Sequence, residues 1–543
     1  MVFARRSTTL LAAIIASCAM VLSLTACTSD NKTVVDGQTT VTSNSAGGVA
    51  VFTPSDGITL NQQTPLNKWA KLVPDLTKAL VDAGFKKGDI NHTTSDSLAK
   101  QSRAIQDFVV DHLSNNTTDD SGIAIAPDNM TLLVAPVVEA DASTRQYGDY
   151  ISQNLSTNDA TDGEATSDGE SSEDDSSKDD SSNTESDSTA SDEQAQAVDQ
   201  LVSSLKLAKE SGMHVVLLGN SIEGYKPDAF VKFSDAQTIG KLQAEKMVSK
   251  LKLDKASKDN PKYIEVLLPY TAVDEKGNAN DSTFAQEAFR GIWQVLGSYY
   301  QKGVVESPSG TLDGKSTEND WQAVAYDAAK EGSTAKVLDK RLAKTDGQST
   351  LTRIDGIITM NDYIASEVVK ELDDLGYTGS AADINPQITI SGIVGNITGK
   401  KDLSRDAVPD PIKSPENDNA NDSSSSDDDA DEDTSASDKD RDSQWPLVTG
   451  YGAYVSNIPS IVNGKQWMTG MEDRQTIATD IAQACAKLNK DEALNSMPSI
   501  RNSEVGGVKK IPTISEPLLA VSASNLKSAL IDPGYISLAD AGL

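Results

Sequence analysis

The chain is poor in cysteine, histidine and aromatic residues: Cys18, Cys27 and Cys485, then His92, His112 and His214, with an aromatic share of 5% over 543 residues. Each scarcity excludes a class of chemistry. No two histidines stand at metal-ligand spacing, and His214 lies inside an apolar run, so histidine-based zinc binding or general-base catalysis has no support. Neither a Gly-rich phosphate loop nor a nucleophile elbow is present. The expectation is a protein that is not an enzyme, with no metal and no cofactor. Cations are also scarce, 48 Lys and Arg against 81 Asp and Glu for a net charge of −33. That balance argues against nucleic acid as a partner. Beyond residue 26 there is no apolar run of about 18 residues, so no later segment is expected to span a membrane.

What is present begins with a leader. Residues 1–26 carry Arg5 and Arg6, an apolar run over 10–24, and then Leu24-Thr25-Ala26 before Cys27. This reads as a secretory signal, and the tetrapeptide ending at Cys27 resembles the lipobox of bacterial lipoproteins, in which the cysteine becomes the lipidated amino terminus. The alternatives are an ordinary cleaved signal or an uncleaved anchor. On the lipoprotein reading Cys18 departs and Cys27 is lipidated, so Cys485 alone remains and no intramolecular disulfide forms. The net charge is also unevenly placed. About fourteen acids against one lysine fall within 158–193, and about twelve against two basic residues within 416–442, together about two thirds of the total. Both stretches are rich in Ser, Asp and Asn and are expected to be disordered spacers rather than binding domains.

The remaining residues alternate buried strands with one-faced helices. The clearest unit is RIDGIITMNDYIASEVVKELDDLGY at 353–377. Ile354, Ile357 and Ile358 make a strand covered on both faces, Asn361 and Asp362 end it, and Ala365, Val368, Val369, Leu372 and Leu375 form a helical stripe that Gly376 closes. The loop leaving a strand's carboxyl end faces the ligand crevice of an open α/β sheet, which places Asn361 and Asp362 where small molecules bind. The competing reading makes Asp362, or Asn361, a helix cap. Other expected strands lie at 48–54, 131–137, 213–218, 263–269, 303–308, 446–450 and 467–471. Expected helices lie at 69–85, 95–113, 197–211, 235–251, 282–300, 456–463, 475–488 and 524–530, with helical material in 318–344. Room is left for one strand between the first two helices.

These stretches, in this order, resemble the type I periplasmic solute-binding proteins, specifically the xylose and multiple-sugar-binding lipoproteins of ABC transporters. KWAKLVPDL at 68–76 resembles R-W-x-x-D-x-P-x-F, and LLVAPV at 132–137 resembles the strand ending in I-A-P-V. FVKFSDAQTIGKLQAE at 230–245 resembles Y-I-S-F-D-N-x-x-V-G-x-L-Q-A, the most specific match. TMNDYIA at 359–365 resembles S-N-D-A-x-A, LVTGYGA at 447–453 resembles V-T-G-Q-D-A, GKQWMT at 464–469 resembles G-x-Q-T-M-T, and 512–535 resembles the family's tail.

The resemblance implies an α/β fold of two Rossmann-like lobes joined by three hinge crossings and closing on one sugar. The implied divisions are a signal peptide (1–26), lipidated Cys27 and tether (27–47), lobe one (48–223, insertion about 157–195), lobe two (224–470, insertion about 400–445), a return to lobe one (471–510) and a tail crossing back (511–543). It places Lys68, Trp69, Asn220, Asn361, Asp362, Tyr451 and Glu472 at ligand positions. Several depart from the family pattern: Lys68 stands for an arginine, Gly219-Asn220 for Asp-Arg, Tyr451-Gly452 for Gln-Asp, and Glu472 for Lys or Gln. Trp467 or Asp281 are further members of a replacement set. Trp69 has the alternative of a lid over the first helix, and Tyr451 and Glu472 of purely structural roles. The implied function is a monomeric, lipid-anchored binding protein on the outer face of the cell membrane, delivering a sugar to an ABC permease. The alternative is a descendant with an altered or absent ligand, acting as a sensor or surface interaction lipoprotein.

Overall fold

The computed structural model describes residues 46–55, 65–115, 125–138, 144–157, 185–273, 280–343, 351–381 and 445–543. The expected signal peptide, Cys27, the tether and most of both acidic stretches lie outside them.

In the first half, β1 (Gly48–Pro54), β2 (Ile90–Ser95), β3 (Met130–Val134), β4 (His214–Leu218) and β5 (Ala229–Lys232) alternate with α1 (Trp69–Asp82), α2 (Leu98–Asn115) and α3 (Glu185–Glu210). The second half repeats the scheme with β6 (Lys262–Val266), β7 (Val305–Glu306), β8 (Gly356–Ile358), β9 (Leu447–Tyr451) and β10 (Met468–Met471). Its helices are α4 (Ala236–Leu251), α5 (Thr283–Gln301), α6 (Ser333–Arg341), α7 (Asp362–Asp374) and α8 (Ile458–Val462). The chain then returns through α9 (Arg474–Leu488) and the hairpin β11 (Ile500–Val505) and β12 (Val508–Ser515) to the first sheet, and ends beyond β13 (Leu519–Ser522) in the second.

The strand orders are β11-β12-β5-β4-β3-β1-β2 and β7-β6-β8-β9-β10-β13. Each sheet therefore contains the same doubly wound series, 2-1-3-4-5. All ladders are parallel except β11 on β12 and β13 on β10. Parallel strands need covering on both faces, and successive side chains supply it. Val49 and Val51 of β1 meet α1 and α9, whereas Ala50 and Phe52 meet α2 and α3. In the second sheet Ile358 faces the α4 and α5 layer, and Ile357 faces α6 and α7.

Three connections join the halves: residues 233–235 between β5 and α4, 472–473 between β10 and α9, and 516–518 between β12 and β13. Two of them fall later than the sequence suggested. The segment 224–234, read as the crossing into the second half, contributes β5 to the first sheet through Leu217 and Leu218. The tail from 511 likewise adds β12 beside β5 before it crosses. In addition, α3 starts at Glu185, inside the acidic stretch expected to stay unstructured to about residue 195. Among the described residues no helix is long and apolar enough to cross a membrane.

Candidate functional site

Bonds just beyond the strands link the carboxyl ends of β3 and β4, those of β5, β9 and β10, and those of β8 and β9. Backbone geometry is unusual here. Met360 and Ala453, both non-glycine, have φ of 69° and 50°, a left-handed conformation that costs roughly 1 kcal/mol or more per residue. Met360 is held by the Gln243 amide, which donates to its carbonyl at 3.0 Å.

Asn361 follows, and it rather than Asp362 caps α7: its Oδ1 accepts the Ile364 N–H at 2.9 Å. Asp362 is fully buried and ties elements together. Its carboxylate accepts from Gln466 Nε2 at 2.7 Å, Tyr454 N at 2.9 Å and Thr469 Oγ1 at 2.9 Å. Burial pushes its pKa up to about 6 despite these donors. Gly450 is required beside it, because a Cβ there would lie 2.1 Å from Asp362 Oδ1.

Glu472 sits in the second crossing and Ser234 in the first. The Glu472 carboxylate accepts from the Ser234 N–H at 2.7 Å, from the Ser234 hydroxyl, and from the Tyr451 hydroxyl at 3.4 Å. A buried carboxylate thus bridges two of the three connections. Its pKa is pushed up to about 7, burial being the dominant cause and the Ser234 donors opposing it. Burial and the neighbouring Glu472 also push the Tyr451 phenol well up.

On the first half, Lys68 and Trp69 open α1. Lys68 Nζ pairs with Asp149 at 2.7 Å, and the Trp69 N–H donates to the other Asp149 oxygen at 3.0 Å. The Trp69 ring is only 3% exposed and makes edge contacts with Tyr150 and Phe233 at 5.1 and 5.6 Å. It belongs to the first-half core. Asn220 donates to the Pro136 carbonyl at 3.0 Å and accepts the Gln153 N–H at 2.9 Å.

The partners of these residues converge on 144–155, a stretch the sequence did not single out. Gln146 Oε1 accepts from Asn361 at 3.0 Å, and its carbonyl accepts from the Tyr454 hydroxyl at 2.6 Å. The Tyr147 ring lies 4.7 Å from Phe284 and 6.2 Å from Tyr451, in the second-half core. Tyr150 stacks on Phe233 at 4.8 Å in the first-half core. The structure therefore brings Lys68, Trp69, Asn220 and Asn361 onto one internal segment, and gathers Tyr451 and Glu472 at the crossings. Asp281 and Trp467 do not join either group. Asp281 accepts the Thr283 N–H at the start of α5, and Trp467 packs in the second-half core. The available signal for the missed segment was the tyrosine pair in TRQYGDYI, aromatic residues placed between polar stretches.

No protein-family model matches the chain, and no curated protein matches it. Solved structures similar to it include an ABC transporter solute-binding protein from Clostridium phytofermentans with bound β-D-glucose, at 16% identity and TM-score 0.44, covering 91% of this chain and 99% of that one. A carbohydrate transporter solute-binding protein from Chloroflexus aurantiacus in complex with D-glucose is similar at 18% identity and TM-score 0.42, covering 91% and 98%. A sugar ABC transporter protein from Actinomyces odontolyticus follows at 11% identity and TM-score 0.43, covering 89% and 97%.

Proposed function

We propose that this chain is an extracytoplasmic binding protein that holds a small polyhydroxylated solute, of the carbohydrate class, between its two halves and delivers it to an ABC permease. The observation that carries the reading is the duplicated 2-1-3-4-5 sheet, with Ser234 just beyond β5 bonded to Glu472 just beyond β10 and to Tyr451 at the end of β9. Ligands of open α/β sheets bind at those ends, and halves linked by such crossings close by rotation about them. Aromatic rings, amides and a lysine gathered there suit a sugar's C–H faces and hydroxyls.

The test is a thermal-shift screen of the full-length chain in detergent against pentoses, hexoses, uronic acids and short oligosaccharides. A ligand at a hundred times its dissociation constant adds about 2.7 kcal/mol, which moves melting by roughly 5 to 10 °C in halves of this size. A flat response across the panel removes the carbohydrate reading.

Cys27 is the proposed lipid attachment, holding the chain on the outer face of the cell membrane as a monomer. Cys27→Ala is expected to shift the protein from the membrane to the soluble fraction, and retention at the membrane would point to an uncleaved anchor instead. A sensor or surface interaction role is the second reading. It is favoured by the bonds that Lys68, Asn220 and Asn361 already make within the chain.

A further inference from the structure

We infer that 146–150, Gln-Tyr-Gly-Asp-Tyr, is a tethered pseudo-ligand: it occupies the crevice in cis and must leave before a solute can enter. The identity of that solute rests on the proposed receptor reading, whereas the geometry of the segment stands independently.

The segment engages both halves at once. Toward the first half, the Asp149 carboxylate binds Lys68 Nζ and the Trp69 N–H. The Asp149 N–H donates to Asn67 O at 2.8 Å, and the Tyr150 hydroxyl to Lys68 O at 2.6 Å. Toward the second half, Gln146 takes the Asn361 amide and the Tyr454 hydroxyl, and Tyr147 enters between Phe284 and Tyr451. Rings against aromatic walls, an amide on an amide and a carboxylate on a lysine are the contacts a bound small molecule would make. Gly148 makes the fit possible, since its φ is 95° and a Cβ would lie 2.5 Å from Asn67 O.

Side chains supply most of the contacts named above, and 144–153 belongs to neither main sheet. Regular pairing resumes only at Asn154–Leu155, against Ser221–Ile222. A segment without a ladder opens apart from the strands around it, and its release exposes Tyr147 and Tyr150, each only 1% exposed in place. Its anchoring pair, Lys68 and Asp149, retains 16% and 19% side-chain exposure, so water reaches it.

Hydrogen exchange of the full-length chain and its Asp149→Asn variant, followed by mass spectrometry, tests this. The variant keeps the shape of the side chain and removes the charge that Lys68 holds. In it, amides of 147–153 are expected to exchange at least tenfold faster while β1, β3, β8 and β9 keep their rates. In the unaltered chain, D-glucuronate, whose carboxylate can replace that of Asp149 at Lys68, is expected to speed exchange in the same amides. A Tyr147→Ser variant, read the same way, guards against a charge effect confined to Asp149. The inference is overturned if 147–153 exchanges only with the core strands in every variant, or if a sugar binds while the segment stays protected. Release of the segment without binding of any sugar sustains the pseudo-ligand and removes the carbohydrate reading.

Discussion

Glu472→Gln is expected to raise the melting temperature at pH 8 and to lower it by roughly 1 to 3 °C at pH 4.5. The carboxyl's folded pKa is pushed up to about 7 from an ordinary 4.5, so the folded chain binds this proton more tightly than the unfolded chain does. Stability from this group is therefore fully present below about pH 4.5 and is lost as pH rises through 7. A tenfold change in proton affinity corresponds to about 1.4 kcal/mol, so the ionised, buried Glu472 costs about 3 kcal/mol at pH 8. Glutamine keeps a carbonyl for the Ser234 donors but adds N–H groups needing acceptors, which leaves a gain of about 2 kcal/mol. At about 2 to 4 °C per kcal/mol the rise is roughly 4 to 8 °C. Asp362, pushed up to about 6 by burial, carries the same sign, so a shallower fall between about pH 4 and 6 persists in the variant. Melting scans at pH 4.5, 6 and 8 decide it, and parallel curves for the two proteins would mean that Glu472 does not titrate in this range.

Trp69→Ala is expected to destabilise the fold itself by about 3 to 5 kcal/mol, the range for removing a buried tryptophan. The resemblance placed Trp69 against a ligand, but the residue is 3% exposed and packs edge-on against the stacked Tyr150 and Phe233. Removal leaves a cavity at the start of α1 and takes away the ring on which Tyr150 leans. Urea denaturation followed by circular dichroism measures the loss. An unchanged midpoint together with lost sugar binding would return Trp69 to the role of a ligand wall.

Local burial is what a sequence displays most openly. The unit from β8 to α7 was legible for that reason: a continuous apolar strand, a polar corner, then a helical stripe. The strand β2, INHTTS, is polar because it lies at a sheet edge with most of its side chains exposed, so nothing in its composition announces a strand. The β11 and β12 hairpin turns at Gly506-Gly507, a two-residue signal that was available. Asn361 was legible as the polar corner at a strand end, where it caps α7. The Ser234 to Glu472 bridge spans 238 positions, and Lys68 to Asp149 spans 81. Such pairings depend on how the crossings bring the halves together, and neither spacing nor periodicity encodes them.

β12 and β13 come last in the sequence and complete the two sheets. Asn489 donates at 3.0 Å to the carbonyls of Ala46 and Gly48 and accepts from Thr131 at 2.6 Å. The two ends of the first half are thus fastened only after the whole second half has been made. Until then β5 and β10 each present an unpaired edge, since their outer neighbours come from β12 and β13. Open edges of parallel sheets invite pairing between chains. A net charge of −33, concentrated in two stretches that precede those last strands, opposes such encounters through mutual repulsion. Both sheets of this chain are therefore completed by strands that follow its two acidic stretches.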